Sequence, residues 1–231
     1  MNTPAAPSSA EPHVEEVFDE LGVLRSRTEI RGGVPHGRLD IWSPEGKPVL
    51  QANYVAGLLD GDVTSYDENG ERLQTAQYLA GKQHGLTTVY TDNRPSFEAP
   101  YLHGKMEGEA RQFDATGVVR ARLPYRQGLQ EGEAHFYNDQ GRLMQRAPYR
   151  KGKQHGETVS YDGADHVIEK VNYREGKLDG QHLRYLPDGT LVETQNYREG
   201  KLLNATQHTA SNGAAPEGVR AKLEKWVRGD S

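Results

Sequence analysis

Seven residues at one recurring place in the chain could do chemistry. His36, His84 and His155 share that place with Asp60, Glu107, Glu131 and Asp179. Imidazoles and carboxylates are common metal ligands and common partners in acid–base catalysis. Spacing argues against both roles. The members recur about once per 24 residues. If that period is two strands of a sheet, neighbours stand roughly 10 Å apart, at about 4.8 Å per strand. Metal–ligand bonds are about 2 Å long, so the column cannot converge on one ion. These side chains read instead as polar residues ahead of a turn glycine. Ser65 and Ser160 fall in strand-like runs, and no Gly-x-Ser-x-Gly elbow occurs. The recurring glycine pairs are four apart and lead into strands, unlike a phosphate loop that opens a helix. We therefore expect no catalytic group, no metal and no cofactor.

A second column is more suggestive. Asp62, Glu109, Glu133 and Glu157 each follow the second glycine of a pair, with Arg38, Leu86 and Gln181 at the same place elsewhere. Four residues further on stands an aromatic: Trp42, Tyr66, Tyr90, Phe113, Tyr137, Tyr161 and Tyr185. Strand parity puts acids and aromatics on one face. The aromatics form a ladder, one rung per repeat. It reads first as the core available to a thin sheet, with a binding groove as the alternative. The acids are either solvated residues beside a turn or a row that steers a basic partner.

The element that positions both columns is a repeat. Tyr149 to Asn172 carries the pattern Tyr-Arg-Lys-Gly-Lys-Gln-His-Gly, then an extended run to Tyr161, a polar turn and a second run. It restarts at Tyr173 and Tyr197, and upstream at Tyr125, Tyr101, Tyr78, Tyr54 and Ile30. A fixed period of this size signals a repeat architecture. Two extended runs joined by a Gly-containing turn, as at Asp67-Glu68-Asn69-Gly70, read as a β-hairpin. Glycine at fixed places, each costing roughly 1 kcal/mol inside a helix, argues against a helical repeat. So do Pro100, Pro124 and Pro148.

Composition agrees. Hydrophobic residues make up 34% of the 231, too few for a large core but enough for a sheet whose repeats pack only on their neighbours. No Cys is present, which removes thiolate chemistry and suits a reducing compartment. No secretory signal and no apolar run of membrane-spanning length is seen in the sequence. The net charge of −5 speaks against nucleic acid and disfavours a membrane contact. Residues 205–215 are small and polar. From Pro216 to Arg228, Val219, Leu223, Trp226 and Val227 fall on one helical face. That segment reads as a cap for the last strand, a partner-docking helix around Trp226, or a membrane contact.

Tyr-x-x-Gly-Lys-x-x-Gly, a five-residue strand ending in an aromatic, and a polar turn with Gly resemble the MORN repeat, and more closely its bacterial variant in YwqK-like antitoxin proteins. The resemblance covers about 13–204. It implies an elongated, single-layer antiparallel meander used as a binding surface, and a partner that is a cognate toxin or secreted effector. The expected organisation is thus a disordered segment 1–12 and an all-β repeat domain 13–204, with full repeats starting at 30, 54, 78, 101, 125, 149 and 173. A linker and C-terminal amphipathic helix follow over 205–231. The expected function is a cytoplasmic, non-enzymatic antitoxin or immunity protein. The alternative is a structural scaffold or membrane-associated adaptor.

Overall fold

The computed structural model describes residues 11–209. The helix expected over Pro216–Arg228, with Trp226, lies outside them, as do residues 1–10. Among the described residues every regular element is a strand and every pairing shown is antiparallel. The chain divides after Gly141 into two units.

Unit 1 opens with the half-repeat β1 (His13–Phe18) and β2 (Leu24–Arg31). It continues through β3 (Val34–Trp42), β4 (Pro48–Val55), β5 (Leu58–Leu59), β6 (Gly61–Tyr66), β7 (Arg72–Leu79) and β8 (Lys82–Thr91). β9 (Arg94–Leu102), β10 (Lys105–Met106), β11 (Gly108–Phe113), β12 (Val119–Arg126), β13 (Leu129–Gln130) and β14 (Gly132–Tyr137) complete it. Unit 2 holds β15 (Leu143–Arg150), β16 (Lys153–Gln154), β17 (Gly156–Tyr161), β18 (Val167–Arg174), β19 (Lys177–Tyr185), β20 (Leu191–Arg198) and β21 (Lys201–Gln207). In each unit the short β5, β10, β13 and β16 share a partner with the strand that follows, and the long strands pair in succession, so the expected two-strand repeat is present. Extended structure runs three residues past 204, to Gln207.

Two kinds of turn alternate. The Tyr-x-x-Gly-Lys segment is a two-residue hairpin turn with both central residues at positive φ, as at Ala56 (49°) and Gly57 (81°). That geometry matches strand twist and asks for Gly. Its first position is nevertheless Ala56, Ala80, His103, Gln127, Lys151, Glu175 or Glu199, each near φ 50°. A side chain there costs about 1–2 kcal/mol. The opposite turn is built on an acid in four copies, while between β8 and β9 it is the two-residue turn Asp92-Asn93, both at positive φ. The Asp67 carbonyl accepts the Gly70 N–H at 3.0 Å, and its Oδ1 accepts the N–H of Asn69 (2.8 Å) and Glu71 (2.9 Å). Asp19, Asp114 and Asp162 make the same local bonds.

Directly paired residues share a face, so register sorts the side chains. Tyr54, Tyr78, Tyr101 and Tyr125 lie opposite Gly37, Gly61, Gly85 and Gly108 in unit 1. Tyr173 and Tyr197 lie opposite Gly156 and Gly180 in unit 2. These glycines sit at φ between 104° and 117°, and a Cβ on Gly108 would fall 3.0 Å from Pro100 Cγ. Burial pushes the Tyr101 and Tyr173 phenols up.

The anchor-tyrosine face of unit 1 carries Ala52, Ala76, Ala99, Ala110, Ala121 and Ala134, each at most 4% exposed. This corrects the expected core. Trp42, Tyr66, Tyr90, Phe113, Tyr137, Tyr161 and Tyr185 are only half-buried, on the opposite face. A single sheet gives a large ring neighbours at its sides but nothing above it. A methyl group between tall neighbours is covered completely.

Candidate functional site: an exposed face of mixed charge

The acids do share the aromatic face, as parity requires. On unit 1, Asp62 lies opposite Gln77 and Glu109 opposite Pro124; both acids are exposed, as is Glu133. The row beside them was not foreseen. Glu98, Arg111, Arg122 and His135 pair in register across β9, β11, β12 and β14. Arg111 donates to Glu98 at 2.8 Å, Arg122 to Glu109 at 3.2 Å, and His135 meets Glu133 at 3.0 Å. The acid column is therefore no bare negative stripe, since its neighbours in register are bases. Each such pair is worth about 0.2–1 kcal/mol at this exposure. The signal was available: residues two places beyond Glu109 and Glu133 are Arg111 and His135, on the same face.

At the start of unit 1, the fork of Arg38 grips Asp40 at 2.7 and 2.8 Å. That pair lines a shallow depression with Val14, Arg27 and Glu29. The hydrogen bonds and charge of Asp40 hold the Arg38 guanidinium above its usual range. In unit 2, Glu157 is exposed and lies 3.9 Å from Lys170.

The His/Asp/Glu column has a structural use. His36 Nδ1 accepts the N–H of Ala56, Asp60 that of Ala80, Glu107 that of Gln127, and Asp179 that of Glu199. Each acceptor reaches the strained first residue of the next repeat's hairpin turn. The N–H of the following glycine goes to a carbonyl of the earlier repeat, as Gly57 to Pro35 (2.8 Å) and Gly81 to Leu59 (2.8 Å). Both donors of the turn are thereby satisfied, which offsets the strain. His84 meets the His103 ring edge-on at 5.1 Å, and His155 lies 3.3 Å from Glu175.

Unit 2 has a polar cluster on its anchor face. Glu169, Arg184 and Glu193 are consecutive partners across β18, β19 and β20. His182 bonds Glu169 at 2.7 Å, and Arg184 reaches Glu193 at 3.2 Å. The His182 bond is the chief reason the Glu169 carboxyl is held below its usual range. Among the described residues no group of three His, Asp or Glu could hold a metal ion. Nor is any helix there long and apolar enough to cross a membrane.

The model of the MORN repeat variant matches residues 59–80 and 106–127. The two matched segments are MORN-type repeats. Each matched MORN segment runs from the end of one hairpin turn, through the tyrosine–glycine pairing, to the next turn. No curated protein matches the chain. One solved structure, titled "Crystal Structure of TcdB2-TccC3", is 12% identical over 80% of this chain, with a TM-score of 0.15. The present chain spans about 15% of that chain's length, and at such a score the likeness carries no argument.

Proposed function

We propose that this protein is a non-enzymatic antitoxin or immunity protein, acting in the cytoplasm by covering a surface of a cognate toxin or effector. The supporting observation is a division of labour within the repeat. Glycines, anchor tyrosines and turn acceptors are spent on the frame. The exposed acid face of unit 1 changes its residues from repeat to repeat: Arg38, Asp62, Leu86, Glu109, Glu133. Such a face can diverge to fit one partner without disturbing the fold. Its mixed charges favour orientation and association rate over raw affinity.

The test is co-purification with the product of the neighbouring reading frame, followed by titration with E109K/E133K at two salt concentrations. Circular dichroism serves as the folding control. Capture of a toxin, and weaker binding by the folded double variant, is the expected result. Unchanged affinity removes the acid face of unit 1 as the site, and failure to bind or protect against any neighbouring product removes the antitoxin reading.

A further inference from the structure

The hairpin turns of unit 2 are flanked by cation pairs. Arg150 lies directly opposite Lys153, Arg174 opposite Lys177, and Arg198 opposite Lys201. All six are exposed. Alternation along the strands puts them on the acid face, one rung per repeat, so three rungs stand roughly 10 Å apart over about 20 Å. The tyrosine–glycine frame requires neither cation, since the place after the turn holds Val34, Leu58 and Leu129 in other repeats. The equivalent places in unit 1 are Arg31, Val55, Leu79, Leu102 and Arg126, and its two arginines face Val34 and Leu129 rather than Lys. The double rungs are thus a property of unit 2 and not of the repeat.

We infer that these rungs bind a short, extended acidic segment of a protein partner, with carboxylates three residues apart. An extended chain in the polyproline II form advances about 3.1 Å per residue with three residues per turn, so every third side chain falls on one side at about 9 Å and meets each rung in turn. Carboxylate on Arg gives charge-assisted, two-pronged hydrogen bonds, and the Lys opposite supplies a second donor. Nucleic acid fits less well. Its charges are continuous, one per 3.4 Å along each strand. Glu175, Asp179 and Glu199 sit among the cations, with Asp179 3.4 Å from Arg174. They repel a continuous polyanion and leave room for spaced carboxylates. The sequence pI of about 6.0 also lies far from that of nucleic-acid-binding domains. The inference does not depend on the partner being a toxin.

The probes are a labelled peptide with Glu at every third position, a peptide of the same composition with its Glu contiguous, an oligothymidylate and phosphatidylserine vesicles. Each is titrated against the full chain by anisotropy or co-sedimentation at low and physiological salt. We expect the spaced peptide to bind tightest and to weaken with salt. R174E/K177E should lower its affinity about tenfold or more, as two exposed ion pairs become repulsions. R126E in unit 1 should leave it unchanged. Equal binding of the two peptides overturns the proposal, as does tighter binding of the oligonucleotide or the vesicles. So does a folded R174E/K177E variant that binds the spaced peptide as well as the parent.

Discussion

Units 1 and 2 build the same repeat from different side chains. On the anchor face of unit 1, the row four residues before the tyrosine reads Leu50, Gln74, Phe97, Ala121, and its partners include Ile41, Val89 and Phe136. The same row in unit 2 reads Gln145, Glu169, Glu193, partnered by Ser160, Arg184 and Gln207. Beside the hairpin turns, unit 1 mixes exposed Val55, Leu58, Leu79 and Leu102 with Arg31, Lys82, Lys105 and Arg126, whereas the six flanking places in unit 2 are all Arg or Lys. By sequence, unit 1 holds 13 Lys and Arg against 21 Asp and Glu, net −8, and unit 2 holds 15 against 12, net +3. Backbone pattern is common to both. The fold therefore rests on the glycines, tyrosines and turn acceptors, and the rest of the surface is chemically free.

If so, damage to the frame should be equal in the two units. Gly108→Ala and Gly156→Ala should be the most damaging changes, at roughly 3 kcal/mol or more each. Positive-φ strain contributes about 1–3 kcal/mol of this. The new Cβ would also press on Pro100 or Pro148, both 3.0 Å away. Hydrogen exchange read unit by unit checks it; a large loss in one unit and none in the other would break the idea of a shared frame.

Next come the rows that differ. Ala99→Leu should cost about 1–3 kcal/mol in unit 1, because Ala99 has no exposed surface and the larger side chain has no room. Glu169→Gln should cost unit 2 about 1.5–3 kcal/mol, the usual worth of a hydrogen bond to a charged group. Its sign with pH is set by the folded carboxyl lying below its unfolded value. The stabilisation is present above the ordinary Glu value of about 4.3 and is lost as pH falls through the lowered one. Replacing Glu169 should therefore flatten the acid limb of unit 2 and leave unit 1 unchanged. An unaltered acid limb in the variant would remove the ionic cluster from the comparison.

Tyr137→Ala should cost only about 1–2 kcal/mol, since the half-buried ring loses part of the usual large-to-small penalty. A loss of 4 kcal/mol in a urea melt would restore the aromatic ladder as core. The smallest effect belongs to Arg122→Ala, below about 1 kcal/mol and shrinking with salt, because its pair with Glu109 is half exposed on both sides.

The period, the two-strand hairpins, the half-repeat from His13 and the shared face of acids and aromatics were legible because each follows from spacing. What spacing could not show was which face packs more tightly. Large aromatics invite the word core, yet the fully covered side chains are alanines and, at the largest, Val159. Ala52, Ala76, Ala99 and Ala147, two residues before the tyrosine, were the overlooked signal. Nor could spacing show that His36 or Glu107 serves the turn 20 residues later, since that contact runs between repeats. The bases Arg111 and Arg122 were missed because a column of one charge drew attention from its neighbours.

The turn acceptors give the chain a direction. Within each unit, the turns ending in Gly57, Gly81, Gly104, Gly128, Gly176 and Gly200 are each held by the repeat before them. The first turn, after only the half-repeat, is Gly32-Gly33, which bears no left-handed side chain to be relieved. The eighth, Glu199-Gly200, is received by Asp179 and the Leu178 carbonyl, but the next acceptor place holds Leu203 and the glycine after it is Asn204. The series thus opens with a turn that needs no support and closes on a residue that offers none, as a zip has a box at one end and a stop at the other. Removing repeats from the C-terminal side takes away only recipients. Removing them from the N-terminal side orphans a turn, so of two truncations of equal length the N-terminal one is the more destabilising.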